Sequence, residues 1–340
     1  MKRYLIYIMS GLVILTSAAS CEHKDLCYDH NPHAMRYHVN VLADYRLEWE
    51  ELGDFDWVHQ WPEEYTPYDS YRPSKPSGLR VVNYNDFGDS NIHNISADGG
   101  VVSLYEGNND VLFYNNDTEY IVFTNPGKGA TTRATTRTRT RATYMGNTYG
   151  NEYVEETVTP PDMLFANYIE DYVPEKLETP ADLKVTLHPL VFTYKIRYEF
   201  ESGLEYVSLA RGALSGMARE VLMNTGATSE EPATILYDCD LTDFGARAVV
   251  KSFGIPDYPN ANYQTRGDNR HALNLEIMLT NGHIVTFEFD VTDQVKAQPH
   301  GGVIVVDGIV ITEDQGMQGS GAFDVEVNDW GEWEDIVLPL

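Results

Sequence analysis

The chain has 340 residues, with 24 Lys+Arg against 52 Asp+Glu, a formal net charge of −28, and 23 Tyr, 12 Phe and 5 Trp. So acidic a chain argues against nucleic acid as a partner and against adhesion to an anionic surface by general attraction. The length favours two domains over one, and the aromatic content suits strands and sheet faces.

Lys2 and Arg3 are followed by an uncharged, mostly apolar run from Tyr4 to Leu15, then by Thr16-Ser17-Ala18-Ala19-Ser20 and Cys21. A positive start, a short apolar core and a small-residue cleavage site make a secretory signal. The run is about a dozen residues, short of the roughly 18–20 that span a bilayer. Ala-Ala-Ser-Cys resembles a bacterial lipobox. That resemblance implies a signal peptide at 1–20, lipidation of Cys21 and lipid anchoring in the outer membrane at the cell surface. Stable anchoring takes more than one acyl chain, and a lipobox lipoprotein carries several. The alternative is ordinary secretion with Cys21 as a bystander.

Residues 21–36 are polar, include Pro32 and read as a tether that reaches at most about 50 Å when extended. Cys27, His30 and His33 have i, i+3, i+6 spacing, but no fourth ligand accompanies them and Pro32 interrupts a helix. No metal and no cofactor is assigned. With Cys21 lipidated, Cys27 and Cys239 remain. A disulfide between them is allowed in an oxidising compartment, and two separate thiols are the alternative.

A first domain is expected over 37–180. From Tyr37 to Trp49 the chain alternates, with Tyr37, Val39, Val41, Ala43, Tyr45, Leu47 and Trp49 on one side, which is a strand signal. Residues 51–78 sustain neither period. They hold Trp57, Trp61, Tyr65, Tyr68 and Tyr71, which read as rings capping the adjacent sheet or as an exposed cluster that stacks on sugar or a partner. Short strands follow at Leu79–Tyr84, Val101–Tyr105, Val111–Tyr114 and Tyr120–Thr124, spaced as in an antiparallel sandwich or barrel. Residues 131–143 are a Thr/Arg tract, and no Asp or Glu occurs between Tyr120 and Asn151. The tract reads as a mobile surface loop, with contact to an acidic partner or an Arg-specific protease site as the functional readings. Asp162–Tyr172 reads as a helical turn or a strand, and the proline-bounded stretch 174–180 as the domain boundary.

A second domain is expected over 181–340. Leu190, Phe192, Tyr194, Ile196, Tyr198 and Phe200 alternate with polar residues, and Leu209–Met217 is a small-residue segment. Leu273–Leu279 and Val285–Val291 alternate on either side of Asn281-Gly282, which predicts a hairpin with a type I′ turn. Val303–Thr312 and the segment around Phe323–Val327 read as strands, and Trp330–Leu340 as a strand ending. No helical period is sustained after the leader. The fold class is mainly β, two tandem antiparallel sandwiches after a signal peptide.

Catalytic patterns are absent. There is no His-Glu-x-x-His, no Gly-x-Ser-x-Gly and no phosphate loop. Acids are so numerous that paired carboxylates carry no signal. The chain reads as a non-enzyme.

Several segments in order resemble the fimbrillin superfamily of Bacteroidales, the subunits of type V pili, and within it the lipid-anchored anchor subunits and related surface lipoproteins. They are Cys21–His30, Asp110–Ile121, Pro161–Phe165, Leu187–Tyr198, Leu214–Ala218 and Trp330–Leu340. The resemblance implies two transthyretin-like sandwiches and a structural or adhesive role at the cell surface, as a pilus anchor or a standalone lipoprotein. Its implied partners are the membrane through Cys21, other fimbrillin-like subunits, and a host or glycan ligand. It implies assembly by β-augmentation, in which a sheet edge or groove accepts a neighbour's strand. In fimbrillins a protease removes the first strand of the N-terminal domain; here Arg46 and Arg72 are the candidate cut sites. Cutting there would part the body from Cys21 unless the strand stayed paired, which favours a base or standalone lipoprotein over a shaft subunit. Glycan binding through the 57–71 aromatics is the alternative function.

Overall fold

Period-two alternation of apolar and polar residues commits several segments of this chain to strands, and the way the strands pair decides which faces are buried. The computed structural model describes residues 36–46, 73–141, 148–149, 153–260, 270–317 and 334–336. The strands of the first half are β1 (Arg36–Tyr45), β2 (Gly78–Asn85), β3 (Ser90–Ser96), β4 (Gly99–Tyr105), β5 (Asn109–Asn115), β6 (Ile121–Thr124), β7 (Arg133–Thr136), β8 (Thr138–Thr140), β9 (Thr148–Tyr149), β10 (Tyr153–Val154), β11 (Glu156–Val158) and β12 (Phe165–Tyr172). The second half holds β13 (Ala181–Pro189), β14 (Phe192–Ser202), β15 (Val207–Ala218), β16 (Glu220–Leu222), β17 (Pro232–Thr242), β18 (Gly245–Ser252), β19 (Ala272–Leu279), β20 (Ile284–Asp290), β21 (Gly302–Val310) and β22 (Glu334–Ile336). Two short helices, α1 (Thr292–Ala297) and α2 (Glu313–Met317), flank β21. No helix among the described residues is long and apolar enough to cross a membrane.

Seven strands close a barrel in the order β1-β13-β12-β5-β2-β3-β4. Closure removes exposed edges. The inward positions Val39, Val41, Leu79, Val81, Val111, Phe113, Phe165 and Leu187 are completely buried. Each such side chain contributes about 1.5–3 kcal/mol by leaving water. Gly99 (φ 117°) lets β4 lie against β1, because a Cβ there would sit 1.9 Å from the Val41 carbonyl oxygen. The opposite faces of β2 and β5 carry Val82, Leu112 and Tyr114 into a second core with Ala134, Val221 and Phe253.

The third core lies between β20-β19-β15-β17-β11-β8-β22 and β21-β14-β18. Strand β17 serves both layers: it pairs with β15 and β11 early and with β18 at Asp240–Thr242. Tyr194, Tyr198, Leu273 and Leu275 are completely buried there. The mainly β, sandwich-and-barrel class expected from the sequence is the one observed.

Several local expectations are corrected. Strand β13 pairs in parallel with β1 and antiparallel with β12, so a cut at 180 would open the barrel. Of the two readings left open for residues 162–172, the strand is the one observed, from Phe165. The 272–290 hairpin is present, but its turn is not type I′. Leu279 pairs with His283 around three residues, the Gly282 N–H donates to the Leu279 carbonyl at 2.9 Å, and of the two turn residues only Gly282 has a positive φ, 83°. A three-residue loop needs one left-handed residue at its last position, where a two-residue I′ turn needs two.

The Thr/Arg tract is the largest correction. It is not a loop. Residues 133–136 and 138–140 form β7 and β8, which pair with β6 and β16 and with β11 and β22. Thr132, Ala134, Thr135 and Thr136 are buried. Threonine is β-branched and fits a pleated sheet, so a tract that looks like low complexity is strand.

Candidate strand-mediated assembly surface

Strand β1 is the element that the tether would lead into. Its alternation sends Val39, Val41 and Tyr45 inward, while His38, Asn40 and Leu42 lie on the outer face. It is paired residue for residue with β13, from Val39 opposite Ala181 to Tyr45 opposite Leu187. On its other side lies β4, and the Ala43 N–H donates to the Asp98 carbonyl at 3.1 Å. The strand ends at the exposed Arg46, whose N–H donates to the Leu187 carbonyl at 2.9 Å. Arg46 thus stands at the rim of the barrel, just past the last paired residue.

The outer face around β1 is a ladder of polar side chains. The Asn40 amide donates to Asp182 at 2.7 Å, the Ser103 hydroxyl meets His38 Nδ1 at 3.1 Å, and Arg80 Nε donates to Asn94 Oδ1 at 2.9 Å. Leu42, Ile92 and Val101 are exposed on the same face. Lys75 bonds to Asp98 at its margin.

Two arginines of the tract, Arg133 and Arg141, find acidic partners within the chain. Arg133 is paired with Glu220 at 3.5 Å, and Arg141 lies 3.9 Å from Glu276, which also accepts a 2.8 Å bond from Arg211 Nε. The side chains of Arg141, Arg211 and Glu276 are all below 10% exposed. Arg137 lies over the Tyr120 ring at 5.7 Å. Burial alone would raise the Glu156 carboxyl, but bonds from Thr138 and Arg219 outweigh it and hold the group below the usual carboxylate range. The acidic partner anticipated for the tract is therefore, at these positions, the same chain. Beside the tract a cleft of about 310 Å³ is lined by Tyr120, Arg139, Pro160, Asp162, Val249 and Lys251.

Strand β22 pairs with β8, placing Glu334 opposite Thr140 and Ile336 opposite Thr138. Among the described residues it stands at the end of its sheet. No sequence signal marked β8 as its partner.

Of the residues singled out from sequence, Cys21, Cys27, Trp57, Trp61, Tyr65, Tyr68, Tyr71 and Arg72 lie outside the described residues. Cys239 sits on β17 opposite Ala210, and burial, with Asp238 and Asp240 beside it, pushes its thiol far up, so it is a neutral, weak nucleophile. Among the described residues no group of three or more His, Cys, Asp or Glu is placed to hold a metal ion.

Residues 68–238 match the family described as Domain of unknown function (DUF5119), and the chain belongs to that family. Its fold is shared with a candidate adhesin from Bacteroides ovatus, at a TM-score of 0.55 and 21% identity, over 84% of this chain and 97% of that one. More distant likenesses include the fimbrial anchor protein Mfa2 from Porphyromonas gingivalis (TM-score 0.41, 10% identity, 79% and 90% covered) and a candidate polysaccharide-binding protein from Bacteroides thetaiotaomicron (0.47, 9%, 81% and 92%). At TM-scores below 0.5 these two carry no weight. No curated protein matches the chain. The likeness to the Bacteroides ovatus structure is one of fold.

Proposed function

We propose that this protein is a lipid-anchored, fimbrillin-like component of the cell surface, structural or adhesive, tethered through Cys21 and making its contacts through strands and sheet edges. The observation that carries the reading is the place of β1. It leads directly from the tether, is hydrogen-bonded on both sides within a closed barrel, and buries Val39, Val41 and Tyr45 in its core. Pulling on the lipid therefore loads a strand locked into the fold rather than a loose arm. A base or standalone lipoprotein needs that coupling. A shaft subunit that sheds its first strand does not.

A two-domain organisation is retained in this reading, with the closed barrel first and the change of sheet after β13. The fold-sharing Bacteroides ovatus protein, described as a candidate adhesin, agrees with a surface role.

The test has two arms in cells expressing the full chain. Cys21→Ser should release the protein from membranes into the soluble fraction; retention would sink the anchoring. Deleting residues 329–340 should abolish co-purification with other surface β proteins and leave the barrel intact; association that survives deletion removes the C-terminal strand from the contact.

A further inference from the structure

Strand β21 has a strand neighbour on one side alone among the described residues, the parallel β14. A strand so placed offers a row of backbone donors and acceptors to any other extended chain. Here that row meets glutamine side chains. Gln294 Nε2 donates to the Val305 carbonyl at 2.9 Å, and the Val305 N–H donates to Gln294 Oε1 at 2.9 Å. Gln298 Nε2 donates to the Val303 carbonyl at 2.9 Å, and the Val303 N–H donates to Gln298 Oε1 at 2.8 Å. Each primary amide thus repeats, donor for donor and acceptor for acceptor, the double bond that a residue of a pairing strand would make.

The spacing explains why a helix and its C-cap residue Gln298 can do this. Residues i and i+4 on a helix lie about 6 Å apart along its axis, and residues i and i+2 on a strand about 6.6 Å apart. Gln294 and Gln298 therefore face two successive outward positions of β21. The helix is held in place: Val295 is completely buried, Gln298 is 6% exposed, and the Tyr194 hydroxyl donates to the Gln298 carbonyl at 2.9 Å. The exposed Asp307 follows on the strand, and charge on an edge discourages pairing.

We propose that Gln294 and Gln298 are an edge guard, closing β21 to strand addition by a second copy of this chain. The guard confines strand-mediated contact to other parts of the molecule. It operates whether or not the protein joins a fibre.

The experiment compares the wild-type chain, lacking its signal peptide, with Gln294→Ala/Gln298→Ala. Sedimentation velocity over a hundredfold concentration range and site-resolved amide exchange are the readouts. The guard predicts at least tenfold faster exchange at Val303 and Val305 and a concentration-dependent dimer absent from wild type. Adding Val305→Pro, which deletes an outward N–H that β14 does not use, should suppress that dimer. A folded double variant that stays monomeric overturns the proposal, as does a dimer that persists with Val305→Pro. Should the double variant not fold, Gln294→Ala alone decides by the same readouts, because it uncovers Val305 and leaves the buried Gln298 in place.

Discussion

Tyr45 meets Phe165 edge to face, with ring centroids 5.6 Å apart and planes at 86°. One ring ends the first strand of the barrel; the other begins β12, far along the chain. The contact fastens the segment nearest the tether to the middle of the molecule, and it lies one residue before the candidate cut site Arg46.

Replacing Tyr45 separates its ring from its hydroxyl. The ring is buried at 7% exposure, while the hydroxyl has no hydrogen-bond partner among the described residues. Burial, then the charges of Asp117 and Asp98, push the phenol up to about 12, so it stays protonated at neutral pH. Tyr45→Ala should cost about 3–5 kcal/mol. Tyr45→Phe should change stability by less than about 1 kcal/mol, because it removes a buried polar atom with no partner. Urea denaturation followed by far-UV circular dichroism checks both; equal losses would assign the stability to the hydroxyl.

Glu276 joins β19 to Arg211 on β15, directly opposite in register, and to Arg141 beyond β8. Removing the carboxylate leaves two buried guanidinium groups without that counter-charge. Glu276→Ala should cost about 3–5 kcal/mol. Replacing Glu276 and Arg211 together by Leu and Met should cost less than the sum of the single changes, since the desolvation of both charges goes with them. A double-mutant cycle by chemical denaturation measures this, and additive losses would show that the pair does not act as one.

His271 gives the stability a pH dependence. It is completely buried. Burial, then the nearby Lys296, hold its imidazole down at about 4, while Asp290 and the backbone of Ser215 and Gly216 pull the other way. An unfolded histidine titrates near 6.5. Between those values the unfolded chain binds more protons, so stability is full above about pH 6.5 and falls as pH drops toward 4. The loss from this residue is about 3 kcal/mol across the window. His271→Gln should flatten that part of the profile in denaturation curves taken from pH 7.5 to 4; an unchanged slope would assign it to other groups.

Strands β1 and β20 show period two in the sequence and the same alternation in their exposure; β14 and β19 show it in the sequence, but bury Arg197 and Glu276 on their polar faces. Strand β15 shows no such period. Its residues 210–218 are buried without interruption, so both faces are covered and small residues serve on each. A run of Ala, Gly and Ser reads in isolation as a loop. Strand β3, Ser-Asn-Ile-His-Asn-Ile-Ser, is largely polar and exposed on alternate residues, and its neighbours supply the pairing that its composition does not advertise. The edge guard was equally silent, since two glutamines four apart, one on a short helix and one at its C-cap, resemble any solvated pair.

The amino-acid sequence by itself determined the β class, the alternating strands and the 272–290 hairpin, because each depends on a pattern repeated over neighbouring residues. Tertiary structure alone decided that residues 133–136 and 138–140 of the Thr/Arg tract are strand, that β13 completes a barrel with β1, and that β22 lies on β8. Those facts depend on which distant segment supplies the hydrogen bonds and counter-charges, and a backbone N–H carries no mark of the carbonyl it will meet.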